Sequence, residues 1–196
     1  MITPDTPAPA QLEVVREFVN TLDVEGGTDE LETPRGLASW LAERGLLQSD
    51  AKLGQRDLRR AIELREALRH LLLANNGAPL GPEEIETLNQ AVSDATLLVR
   101  FDGEGRPALQ VKGSGPGAVL APLVAIVYQA MVSGSWARLK ACPADDCHWA
   151  FYDHSKNRSG TWCDMTVCGN RAKARAYRER QAERAGGSPQ RAAGRA

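Results

Sequence analysis

The residues best suited to chemistry are four cysteines, Cys142, Cys147, Cys163 and Cys168, all inside 27 positions. They form two C-x4-C pairs with fifteen residues between them. Zinc takes four tetrahedral soft ligands, and two cysteine pairs joined by a short hairpin supply such a set. Four thiolates close the coordination shell and leave no position for a reactive water. The expected cofactor is therefore one structural Zn2+, whose binding helps to fold a segment with little core of its own. Two disulfides are the alternative, and the expected cytoplasmic setting favours metal over them. His148 and His154 are the substitute ligands; His148 directly follows a cysteine and is expected to point away. Trp149, Phe151 and Tyr152, between the pairs, read as a small core over the metal, with base stacking as the alternative.

A basic segment follows the last cysteine. From Asn170 the chain reads NRAKARAYRERQAER, rich in strong helix formers and opened by a residue suited to an N-cap. At 100° per residue, Arg171, Arg175 and Arg178 share one stripe, and Lys173, Tyr177, Arg180 and Arg184 the opposite one. Neither stripe is apolar. The charge is also unevenly shared. Residues 134–196 hold 12 basic and 6 acidic side chains, against 12 and 19 in residues 1–133. A cationic rod anchored to a metal knuckle suits DNA, with phosphate contacts giving affinity and a few side chains reading bases. Lys173, Arg175 and Arg178 are candidate DNA contacts.

These groups need a scaffold. Residues 1–10 read as a disordered lead-in. Leu12, Val15, Val19 and Leu22 recur at helical spacing, and a loop with Gly26 and Gly27 follows. Thr33-Pro34 is a helix start, with Leu37, Trp40 and Leu41 on its apolar face and Gly45 as its stop. Residues 57–74 carry the strongest helical stripe, Leu58, Ala61, Leu64, Leu68, Leu71 and Leu72, with Arg59, Glu63, Glu66 and Arg69 largely outside it. Pro82 opens a short helix to about Val92. Residues 96–101 and 108–112 read as a β-hairpin around Asp102-Gly103-Glu104-Gly105. Residues 118–132 are apolar all round and read as a central buried helix, with Pro122 near its first turn. Ser133 to Ser135 mark a boundary, and the composition past about Ala185 suggests a disordered tail. The expected class is α+β, mainly α. A helical N-terminal domain with a small hairpin (11–133) precedes a four-cysteine finger with a basic helix (136–184) and a tail (185–196).

The stretch WCDMTVCGNRAKARAYR, with Cys168-Gly169-Asn170-Arg171 as its signature, closely resembles the CGNR zinc-finger family. FVNTLD at Phe18 to Asp23 and the pattern from Thr33 to Leu41 resemble the ABATE domain that accompanies that finger. The resemblance spans about residues 11–181. It implies a bacterial, stress-induced transcription regulator with Cys142, Cys147, Cys163 and Cys168 on zinc. It also implies that the signature, Asn170 and Arg171 included, contacts DNA.

The N-terminal domain of such a regulator is expected to sense or dimerise. Asn20, Asp23 and Trp40 are candidate small-molecule effector contacts; backbone capping by Asn20 and Asp23 and core packing by Trp40 are the alternative. No phosphate loop, nucleophile elbow or histidine-rich set is present, so an enzyme is not expected. No secretory signal is read at the N-terminus. The longest apolar run is too short for a bilayer, so no membrane partner is expected. DNA is the expected partner, and a homodimer is plausible because one short helix makes few base contacts. The competing readings are a zinc-stabilised protein-interaction adaptor and an RNA-binding protein. For RNA, the helix offers only Tyr177 for stacking.

Overall fold

The computed structural model describes residues 7–9, 11–48, 50–113 and 115–186. The helices form where the apolar periodicity places them, with local caps. α1 (Leu12–Asn20) buries Leu12, Val15, Phe18 and Val19. α2 (Pro34–Glu43) starts with Pro34 in its first turn, and the Thr33 hydroxyl accepts the Gly36 N–H at 3.0 Å. α3 (Gln55–Ala74) buries Leu58, Ala61, Leu64, Leu68 and Leu72, and its Asp57 carboxylate accepts the Gly54 N–H at 2.7 Å. α4 (Pro82–Ala91) packs on α3.

Between α1 and α2 the expected loop closes into a minimal hairpin, β1 (Leu22–Asp23) with β2 (Thr28–Asp29). Gly27 takes φ +67° at its turn, a left-handed conformation that favours glycine. The second hairpin, β3 (Ala95–Phe101) with β4 (Pro107–Gly113), is one residue longer at each end than the sequence suggests, except at Phe101. The Asp102 carboxylate accepts the Glu104 and Arg106 N–H groups at 2.9 Å and so fixes the turn.

α5 (Pro116–Val132) begins two residues earlier than expected, which puts Pro122 in its second turn. It packs against α1, α3 and both strands of the hairpin. It is not buried on every side: Leu120, Leu123, Ile126 and Val127 face inward, while Tyr128, Met131 and Val132 remain exposed. No helix among the described residues is long and apolar enough to cross a membrane.

Past the Ser133–Ser135 boundary the packing continues without a gap. Trp136 is buried, and it leads into β5 (Leu139–Ala141), paired antiparallel with β6 (Ala150–Tyr152). Leu139, Ala141, Ala150 and Tyr152 lie on one face of this pair and join the same core as α1, α3 and α5. The described residues end in α6 (Asn170–Gly186). The class is α+β, mainly α, as expected.

Ala8 is buried, and the Pro7 carbonyl lies 3.1 Å from His154 Nε2. Residues 1–6 and 10, and residues 187–196 of the tail, lie outside the described residues.

Candidate metal centre and nucleic-acid interface

Strand alternation builds the metal centre. With Leu139, Ala141, Ala150 and Tyr152 turned to the main core, the opposite face of the β5–β6 pair carries Phe151 toward the cysteines. Cys142 follows β5 directly. Cys147 sits just before β6, and His148 after it adopts φ +53°. Cys163 and Cys168 come from the second knuckle, which ends in a wide helical turn (Met165–Gly169) closed by Gly169 N–H on the Asp164 carbonyl.

The four sulfurs lie within 4.8 Å of one another, and all four cysteines are buried and free of disulfides. Cys147–Cys163 and Cys163–Cys168 are 3.6 and 3.7 Å apart. A tetrahedral zinc–thiolate site with bonds of about 2.3 Å has edges of about 3.8 Å, so the donor set fits the ion. Electrostatics point the same way. Hydrogen bonds from Cys147 and Cys163 pull the Cys142 thiol down to about 2, and the Cys142 interaction then pushes Cys147 up to about 12. Four sulfurs this close ionise together only around a cation. The cysteine cluster is a metal-binding site.

Glycine at position 169 has a packing reason: an added Cβ would strike the Met165 sulfur and come within 3.2 Å of the Trp162 ring. The loop between the knuckles is held by a buried ion pair. Lys140 Nζ donates to Asp153 Oδ2 at 2.8 Å and to the carbonyls of Arg158 and Gly160 at 2.7 and 2.8 Å. Burial alone would raise the Asp153 carboxyl. Lys140, with the Ser155 and Gly160 donors, outweighs it and holds the group below the usual carboxylate range.

α3 grips this module. Arg69, expected outside the apolar stripe, is buried; it donates to the carbonyls of His148 (2.9 Å) and Val19 (2.8 Å) and to Glu66 (3.0 Å). Arg65 is buried too and donates to Asp29 at 2.7 Å and Glu66 at 2.8 Å. At the end of α3, Asn75 donates to the Trp136 and Leu139 carbonyls, and Asn76 to those of Ala141 and Thr161. Nothing local in the sequence signals these contacts of Asn75 and Asn76.

Among the described residues the three effector candidates have separate surroundings. Asn20 is buried and clamps β6, donating to the Ala150 carbonyl at 2.9 Å and accepting the Ala150 N–H at 2.7 Å. Trp40 is 4% exposed, 5.4 Å from Phe18 between ring centroids, with the Arg44 guanidinium 4.0 Å above it. Asp23 accepts the Gly26 N–H at 2.8 Å. Of the three, Asp23 lines a cavity, one of about 400 Å³ shared with Glu25, Trp149, Asp164 and the cysteines.

The aromatic residues between the pairs pack as a core: Phe151 lies against the cysteines, Tyr152 in the main core and Trp149 half-buried beside the cluster. His148 and His154 are not among the clustered ligands.

The two faces of α6 differ, and the candidate DNA contacts divide between them. Asn170 is already helical (φ −71°, ψ −38°) and is not an N-cap; Asp164 caps the turn instead, accepting from Thr166 and Val167. The Asn170 side chain donates to the Thr166 carbonyl at 2.9 Å. Arg171 lies over the cysteines, donating to Cys168 Sγ at 3.6 Å, to both Glu25 carboxylate oxygens at 3.0 and 3.1 Å, and to Asp146 at 3.1 Å. Arg175 pairs with Asp145 at 3.3 Å. Arg178 is exposed and bonds the Ala174 carbonyl of its own helix. The signature residues and Arg175 thus serve the knuckles, because the acidic Asp145-Asp146 turn faces that side. Lys173, Arg180 and Arg184 are exposed, and none has an ion-pair partner among the described residues. The stripe they share with exposed Tyr177 points away from the metal centre.

Two family models match the chain in sequence order. Residues 12–134 match ABATE, described as "Putative stress-induced transcription regulator", and residues 138–181 match the CGNR zinc finger. No curated protein matches the chain.

Proposed function

This chain belongs to the ABATE family of stress-induced transcription regulators, and we propose that it is a zinc-dependent DNA-binding regulator that meets duplex DNA through the outer stripe of α6. The observation that carries this reading is the stripe of Lys173, Tyr177, Arg180 and Arg184, exposed and, among the described residues, without an ion-pair partner. Solvated cations on a rigid helix exchange condensed counterions for phosphates at little cost in ordering. One Zn2+ on Cys142, Cys147, Cys163 and Cys168 holds the knuckles that aim the helix. Arg178, exposed on the stripe of Arg171 and Arg175 but bonded only to its own helix, is a further contact; Asn170, Arg171 and Arg175 act on the finger itself.

The test uses the whole chain, because one face of the β5–β6 pair belongs to the main core. Fluorescence anisotropy with a mixed duplex library is expected to show zinc-dependent binding that weakens steeply with salt. An acidic protein partner on the same stripe is the competing occupant. No duplex affinity at low salt would favour that partner and overturn the DNA reading.

The homodimer stays with this reading, since a pair of helices spans two half-sites. The exposed apolar side chains Val99, Phe101, Tyr128 and Val132 on the hairpin and α5 support it. Sedimentation velocity, with and without Phe101→Ser, checks it.

A further inference from the structure

Arg171 is the side-chain cation that reaches a sulfur of the metal cluster. A divalent ion with four thiolates carries a net negative charge, and here it is nearly shut off from water, every cysteine being 6% exposed or less. Such a buried charge needs donors. At Cys168 the guanidinium of Arg171 adds a charged donor.

What holds Arg171 there comes from far away in the chain. Both oxygens of Glu25 accept from its two terminal nitrogens, the planar fork that fixes a guanidinium in direction as well as position. Glu25 belongs to the turn between β1 and β2, 146 residues before its partner. The same turn, with Asp23 and Gly26, walls the cavity beside Cys147, Cys163 and Cys168.

We infer that Glu25 is a positioning residue of the metal centre, acting through Arg171 to hold a charged N–H donor on Cys168 and so to slow release of the metal. The N-terminal domain is thereby coupled to the finger. Displacing the β1–β2 turn loosens the metal, and losing the metal frees the turn, because such coupling is reciprocal. The inference rests on the cysteine cluster holding zinc, and it is independent of DNA binding.

The test loads the full chain with zinc, verifies the metal by elemental analysis, and follows its transfer to an excess of chromogenic chelator. Arg171→Gln is expected to speed release by about ten-fold, the lower end for groups that support metal ligands. Glu25→Gln is expected to speed it by about three-fold, since the pair is partly exposed and screened. The double variant should match Arg171→Gln alone, because Glu25 acts only through that arginine. Arg171→Lys, which keeps the charge without the fork, should fall between. Glu104→Gln, at the tip of the β3–β4 hairpin, should release at the wild-type rate. In cobalt-loaded protein, the thiolate-to-metal charge-transfer band should shift in Glu25→Gln and Arg171→Gln alike. Wild-type release and an unshifted band in Glu25→Gln would overturn the inference, as would additive effects in the double variant. A wild-type chain that takes up no zinc would overturn the metal reading beneath it.

Discussion

α3 and α6 are both rich in arginine, yet they use it in opposite ways. In α3, leucines at helical spacing pull one face into the core, and Arg65 and Arg69 at the margin of that face are carried in with it. Each then finds carboxylates or carbonyls from α1, the β1–β2 hairpin or the first knuckle. In α6, alanines stand where α3 has leucines. No apolar stripe draws the helix in, and its position is set by the knuckle turn and by Arg171 and Arg175 on the acidic side of the finger. The opposite cations stay in water. An arginine's role follows from the apolar residues around it, which decide whether it is buried with partners or left to meet a ligand.

The contrast can be broken most severely at the metal. Cys163→Ser, or chelation of the wild type, should lower the melting temperature by about 10 °C or more, since metal binding is folding energy here and one face of the finger is core. Calorimetry checks this; an N-terminal transition that ignores the metal would separate the two regions. Next comes Arg69→Ala. It leaves the Val19 and His148 carbonyls without this donor and Glu66 with Arg65 alone, at a cost of about 3 kcal/mol by urea denaturation.

The Lys140–Asp153 pair gives a pH signature. The folded carboxyl sits below its unfolded value, so its stabilisation is complete above about pH 4 and is lost as pH falls through the lower folded value. Asp153→Asn should destabilise the protein at neutral pH, leaving Lys140 buried without its charge partner, and should flatten the acid limb of the stability curve. An unchanged acid limb would place the titration elsewhere. The smallest effect is expected for Arg175→Ala, whose exposed pair with Asp145 is worth about 0.5 kcal/mol or less.

The cysteine spacing made the metal centre legible from the chain alone, and leucine and valine periodicity did the same for α1, α2 and α3. Each is a local pattern. Three things were not legible. The β1–β2 hairpin pairs two residues per strand, too few to show alternation. The burial of Arg65 and Arg69 depends on acceptors tens of residues away. The helical stripes of α6 were correctly drawn, but which one faces the finger was decided by Glu25, Asp145 and Asp146, whose carboxylates are brought alongside only by the fold. The signature arginine, read as a DNA contact, is paired with Glu25 and Asp146 for that reason. Asn20, read as a ligand contact or as a backbone cap, bonds the backbone of Ala150, 130 residues on.

The central claim is that α6 gives one face to the metal centre and the other to DNA. Its most direct test compares the salt dependence of duplex binding by the zinc-loaded full chain with that of the Arg180→Ala/Arg184→Ala variant. Each lost phosphate contact should flatten the slope of log K against log salt by about 0.9, so the double variant should lose about 1.8 with its melting temperature unchanged. An unchanged slope would contradict the assignment of the outer face to DNA.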